Sequence, residues 1–127
     1  MKGFNVIVVF NKEADKMLMC KRVKDPYKDL SNFVGGKIEQ GEDGLDAAYR
    51  ELFEETSIKR EDIKLTHLLD FTYHMAQEYV EVYVGRLNKD VKILSQKVLK
   101  KNINDSKIYI ELFVAVEESI GTVQVIE

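Results

Sequence analysis

Apolar and polar positions along the chain fall into two rhythms. Asn5-Val6-Ile7-Val8-Val9-Phe10 is a β-branched run, and Lys16 to Arg22 holds a second apolar run, Met17-Leu18-Met19-Cys20. The polar link Asn11 to Asp15 between them predicts a hairpin with a loose loop. Residues 23–32 are polar and contain the single proline, Pro26, which predicts a loop. Gly35, Gly36, Gly41 and Gly44 punctuate the next stretch and predict turns and irregular backbone. Between Gly44 and Ser57 the rhythm changes. Leu45, Ala48, Tyr49, Leu52 and Thr56 recur at three- and four-residue steps, the signature of one apolar helical stripe. Asp43 is the predicted N-cap.

Beyond the helix, Ile63 to Tyr73 and Tyr79 to Leu87 read as an antiparallel pair, the second with Val80, Val82 and Val84 in alternation. Asn88 to Ser106 is highly charged, and part of it reads as a short helix. Ile108 to Val116 predicts another strand, and Glu117 to Glu127 fits a helix or a strand equally well. Strands on both sides of one central helix, paired as hairpins, predict a mixed α+β sandwich rather than a doubly wound parallel sheet.

Size and charge narrow the classes of function. A chain of 127 residues fits one domain, expected to span 1–127, because halves would be too small for good cores. The net charge of -3 gives no long-range attraction to a nucleic-acid polymer. A bound divalent cation can still invert the local field for a phosphorylated substrate. With Cys20 as the single cysteine no internal disulfide forms, and the apolar start is too short for a signal core or a membrane span. A cytoplasmic protein is expected.

The candidate chemistry sits on the helix. At about 100° per residue, Glu51, Glu54 and Glu55 fall within an arc of roughly 100°, beside the apolar stripe. Like charges so placed weaken a helix by a few tenths of a kcal/mol per pair, so the cluster is either solvated or given a cation. Hard ions such as Mg²⁺ take carboxylate and phosphate oxygens together. Such an ion polarises phosphoryl oxygens and activates water for attack.

The spacing of the whole segment favours the cation. Gly36 is followed by Glu42, then by Arg50-Glu51-Leu52, then by Glu54-Glu55 and Ile58. This closely resembles the signature box of the Nudix hydrolases over residues 36–58. One position departs, since the family's last glycine is Ser57 here. That residue ends the helix, where a left-handed backbone is expected and serine reaches it at a cost of roughly 1 kcal/mol.

The resemblance implies an α/β/α sandwich with a loop-helix-loop on a mixed sheet. It implies metal ligation by Glu51, Glu54, Glu55 and the Gly35 carbonyl, with Glu51 or a neighbour positioning or deprotonating the attacking water. Arg50 would hold a box glutamate, and Gly36 and Glu42 would complete the box, Glu42 as a structural partner or a ligand through water. Glu117, which together with Glu118 follows a predicted strand, is the candidate carboxylate from outside the box. Arg22 and Lys37 are candidate phosphate contacts. Asn32, with Phe33 beside it, is the candidate base-reading residue, because an amide donates and accepts together. Alternatively, Asn32 caps a turn.

The implied activity is Mg²⁺-dependent hydrolysis of a nucleoside triphosphate, with Mn²⁺ as a substitute ion. An oxidised purine such as 8-oxo-dGTP is the candidate substrate, and a monophosphate and pyrophosphate are the products. An ADP-sugar, a dinucleoside polyphosphate and a non-catalytic nucleotide sensor stay open. The expected partner is a small nucleotide, with neither nucleic-acid polymer nor membrane, on a monomer or homodimer.

Overall fold

The computed structural model describes residues 1–22, 31–90 and 109–115. Among them are strands β1 (Lys2–Phe10), β2 (Lys16–Arg22), β3 (Ser31–Asn32), β4 (Val34–Ile38), β5 (Thr66–Tyr73), β6 (Glu78–Arg86) and β7 (Tyr109–Ala115). Helix α1 spans Gly44–Thr56, and short 3₁₀ turns lie at Arg60–Asp62 and His74–Ala76.

β1 organises the sheet. One edge pairs in parallel with β6, from Lys2 opposite Glu78 to Phe10 opposite Arg86. The other edge is shared. β4 runs antiparallel along Gly3 to Ile7, and β2 meets β1 where Phe10 faces Met17. β2 then carries β3 and β7, and β5 lies antiparallel to β6. Both predicted hairpins are present, as is the strand predicted near residues 108–116. The first hairpin is joined chiefly at its mouth because β4 takes the rest of that β1 edge. Its turn is held by Asn11, whose Oδ1 accepts the N–H groups of Asp15 and Lys16 at 3.0 and 2.9 Å.

The glycine segment differs from expectation. Gly35 and Gly36 lie in a strand, not in irregular backbone, because Val34 and Ile38 on either side are buried and draw the segment against β1. Ser31 and Asn32, expected in a loop, form the short β3 opposite Lys21 and Cys20.

Helix α1 follows the periodicity closely. Asp43 caps it by accepting the N–H groups of Leu45 and Asp46 at 3.1 and 3.3 Å. Ala48, Leu52 and Thr56 of the stripe are buried together with Ala47, whereas Leu45 stands at the exposed margin. Of these, Ala48 and Leu52 join Ile7 and Val9 of β1, Val34 of β4 and Tyr83 of β6 in the core. The Tyr49 hydroxyl fastens the following segment by donating to the Ile63 carbonyl at 3.2 Å and accepting the Leu65 N–H at 2.9 Å. Asp62 accepts the Lys59 N–H at 2.9 Å and pairs with Lys89 at 2.8 Å.

Ser57 ends α1 in the left-handed conformation at φ 66°, its N–H donating to the Phe53 carbonyl at 2.8 Å. A side chain is strained there, and glycine is not. Ser57→Gly should therefore stabilise the protein by about 0.5–1 kcal/mol, read as a higher urea midpoint at unchanged slope. An unchanged or lower midpoint would show that the helix end carries no such strain.

The mixed sheet with α1 on one face is the expected α+β class, and one helical layer of the sandwich is present among the described residues. No helix among them is long and apolar enough to cross a membrane. Expectations for residues 23–30, 91–108 and 116–127, including Glu117, lie outside the described residues.

Candidate active site

Arg50 is the hub of the site. It faces away from the buried stripe of α1, and its guanidinium reaches over the turn that follows β4. Nε and Nη2 grip both oxygens of Glu42 at 2.7 and 3.0 Å, a bidentate fork. Nη1 donates to Glu51 at 3.0 Å and to Glu54 at 3.3 Å, and Nη2 also reaches the Lys37 carbonyl at 3.0 Å. Glu42 is further fixed by the Glu39 N–H at 3.0 Å, across a turn that Gly41 closes at φ 80°. Charge-assisted bonds thus tie the glycine strand, the turn and the helix together.

Glu51 lies where helix meets glycine strand. A Cβ added to Gly36 would come within 2.4 Å of the Glu51 carboxyl carbon, so this position requires the bare Cα for the carboxylate to sit down on the strand. Burial pushes the Glu51 carboxyl up from its ordinary value of 4.5, against the downward pull of Arg50. Glu42 moves the other way: the Arg50 hydrogen bond, followed by the Glu39 N–H, holds it below 4.5. The Arg50 guanidinium is raised by the Glu42 bond. Among these carboxylates, Glu51 is thus the one that burial leaves short of counter-charge.

The structure brings Glu42, Arg50, Glu51, Glu54 and the Gly35-Gly36 strand to one place. Glu54 is exposed and Glu55, one turn beyond Glu51, is half-buried. The sequence reading had three glutamates converge on one ion. Among the described residues, however, no three His, Cys, Asp or Glu side chains stand close enough to enclose one. Glu51 and Glu54 both accept from the Arg50 guanidinium. The donor set does suit a hard divalent ion, being all oxygen, and the uncompensated burial of Glu51 is the kind of deficit that a cation relieves.

The candidate substrate contacts are more scattered. Asn32 is exposed on β3 and Phe33 is half-buried between β3 and β4. Lys37 is exposed, and alternation with Gly36 and Ile38 places it on the β4 face away from α1. Arg22 ends β2 opposite Tyr109.

Two participants escaped the sequence reading. Asn5 had been absorbed into an apolar strand, yet its Oδ1 accepts the Gly36 N–H at 2.9 Å. Glu81 of β6 lies against Gly44 at the start of α1 and accepts the Tyr83 hydroxyl at 2.6 Å. The signal for Asn5 was present, since it shares the parity of Ile7 and Val9, where a polar residue needs a partner.

A model of the NUDIX domain matches residues 1–106. The protein belongs to the Nudix family. Its helix α1 with the preceding strand and turn is the Nudix box in place. An RNA pyrophosphohydrolase of Pelagibacter ubique (strain HTCC1062) is 47% identical over 57 residues, 45% of this chain and 35% of that protein. The matched stretch therefore spans about a third of that relative. The solved E. coli dihydroneopterin triphosphate pyrophosphohydrolase superposes with a TM-score of 0.66 at 19% identity, covering 94% of this chain and 84% of its own. A C. elegans Ap4A hydrolase complex gives 0.66 at 20% identity, covering 93% and 83%. At such identities the likeness is one of fold. Equal likeness to proteins named for different substrates means that the Nudix framework leaves the substrate open.

Proposed function

We propose that this Nudix protein is a divalent-metal-dependent pyrophosphohydrolase that cleaves a phosphoanhydride bond in a nucleoside triphosphate, with an oxidised purine such as 8-oxo-dGTP as substrate. The observation that carries the reading is the Arg50 hub. One guanidinium organises Glu42, Glu51, Glu54 and the Lys37 carbonyl, and it keeps Glu51 half-buried against Gly36. An exposed solvated glutamate face would need no such organisation.

In this reading Glu51, Glu54, Glu55 and the Gly35 carbonyl hold Mg²⁺ or Mn²⁺, joined by Glu117. The ion, when bound, supplies charge for the phosphoryl oxygens and an acidified water. Arg50 holds the ligand carboxylates in register and Glu42 anchors Arg50 to the turn. Water oxygen forms the new bond to phosphorus while the bridging oxygen leaves with its electron pair as pyrophosphate. The water proton passes to Glu51 or a neighbouring carboxylate. Asn32 reads the base edge, with Phe33 beside it, and Arg22 and Lys37 attract the phosphates.

The partial match to an RNA pyrophosphohydrolase favours one second reading, in which the triphosphate is the 5′ end of an RNA. The chemistry at phosphorus is the same in both. A panel of 8-oxo-dGTP, dGTP, ADP-ribose, diadenosine polyphosphates and a 5′-triphosphorylated oligoribonucleotide, assayed with Mg²⁺ and with chelator and with products identified, separates them. We expect chelator-sensitive pyrophosphate release, fastest from 8-oxo-dGTP. Faster release from the oligoribonucleotide would transfer the assignment to RNA ends. Nucleotide binding without turnover would replace the enzyme by a sensor.

A further inference from the structure

Asn5 is the polar exception on the helix-facing side of β1. Ile7 and Val9, which share its parity, are fully buried and apolar, and Asn5 is itself 3% exposed. Its Oδ1 accepts the Gly36 N–H at 2.9 Å, and its Nδ2 is buried with no hydrogen-bond partner among the described residues. A buried donor left unmet is costly, so a residue that serves only to fill the core would be apolar here.

Its position in the sheet is specific. Asn5 faces Gly36 across the β1–β4 pair and Glu81 across the β1–β6 pair. Helix α1 lies across this row, with Gly44 closing on the Glu81 carboxylate and Glu51 closing on Gly36. Seven helical residues rise about 10 Å, close to two strand spacings, so Asn5 lies beneath the middle of the helix, between two carboxylates.

The bond to Gly36 acts on a particular peptide. The Gly36 N–H and the Gly35 carbonyl belong to one planar trans unit and point in opposite directions. Gripping the N–H therefore turns the carbonyl away from Asn5. Flanked by glycines on both sides, this peptide has wide rotational freedom, and a side-chain acceptor is an effective restraint on it.

We propose that Asn5 is a positioning residue. Its side-chain amide sets the Gly35-Gly36 peptide, and through it the Gly35 carbonyl and the seat of the Glu51 carboxylate. The inference rests on the metal-site reading above, and its test separates the two.

Mn²⁺ binding, followed by electron paramagnetic resonance, is compared in the unaltered protein, Asn5→Leu and Ile7→Val. Leucine has the branching and heavy-atom count of asparagine and removes the unmet donor, so Asn5→Leu should fold. Its Mn²⁺ dissociation constant should rise about 10- to 100-fold, as when a ligand's outer hydrogen-bond partner is lost. With nucleotide, kcat should fall by a similar factor at little change in KM. Ile7→Val loosens the same strand without touching the Gly36 amide and should bind Mn²⁺ within twofold of the unaltered protein. Wild-type Mn²⁺ affinity in Asn5→Leu would overturn the inference alone. Absence of Mn²⁺ uptake by the unaltered protein would overturn the metal site and the inference with it. Should Asn5→Leu not fold, amide exchange in the unaltered protein decides. The Gly36 N–H should exchange slowly, and exchange at the rate of an open turn would refute the Asn5 bond.

Discussion

Glu51→Gln should lower nucleotide turnover by about 10²- to 10⁴-fold, the loss typical of removing a group that holds or moves the reacting proton. The substitution keeps the shape and hydrogen-bonding reach of the side chain and removes its charge. Stability should not fall with activity. Burial outweighs the attraction of Arg50 at this carboxyl, so its charged form is disfavoured in the fold. A neutral amide in the same seat removes that cost. The measurement is kcat/KM for the preferred nucleotide beside the melting temperature of both proteins. Full activity in the glutamine variant would remove Glu51 from the chemistry. A large fall in melting temperature would instead show that its ion pair with Arg50 outweighs burial.

Arg50→Met should be the most destabilising surface-side change, by about 2–4 kcal/mol at neutral pH. It strips counter-charge from Glu42, Glu51 and Glu54 and a donor from the Lys37 carbonyl. For a domain of this size the melting temperature should drop on the order of 10 °C. Arg50→Lys should recover only part of the loss, because an ammonium cannot make the two-pronged contact with Glu42.

The pH dependence follows from the directions of the shifts. Glu42 is held below its ordinary 4.5, so its contribution is complete above that pH and is lost as pH falls through the folded value. Glu51 is raised, so its ionisation costs stability above its folded value, and acidification relieves that cost. Without Arg50, Glu42 and Glu51 lose a counter-charge and gain from protonation. The stability gap between native protein and Arg50→Met should therefore narrow as pH is lowered from 7 through the carboxylate range. Urea midpoints across that range measure it. A gap that is constant with pH would mean that Arg50 acts through packing alone.

Helix α1 was legible to within a residue because its determinants are local. The apolar stripe, the Asp43 cap and the left-handed stop at Ser57 lie within a few residues of the groups that they act on. The paired strands around Val80 to Val84 were legible for a similar reason, since alternation records which face is buried. The Nudix box was legible because its chemistry needs fixed spacing on one helix and the turn before it.

Other features needed the third dimension. The glycine pair was expected to be irregular, yet it forms β4 because β1 offers an edge from thirty residues away in sequence. The parity of Asn5 with Ile7 and Val9 marks a polar residue in need of a partner, but which partner was decided only when register set it opposite Gly36. Glu81 came against Gly44 only when α1 crossed β6. The three box glutamates share a face of the helix, as periodicity required, but where their carboxylates go depends on which charge is nearest, and here Arg50 holds two of them. Spacing along a chain encodes the propensities of its own neighbourhood. Which distant backbone meets which side chain is set by the closing of the sheet, where burial and hydrogen bonding must be satisfied at once.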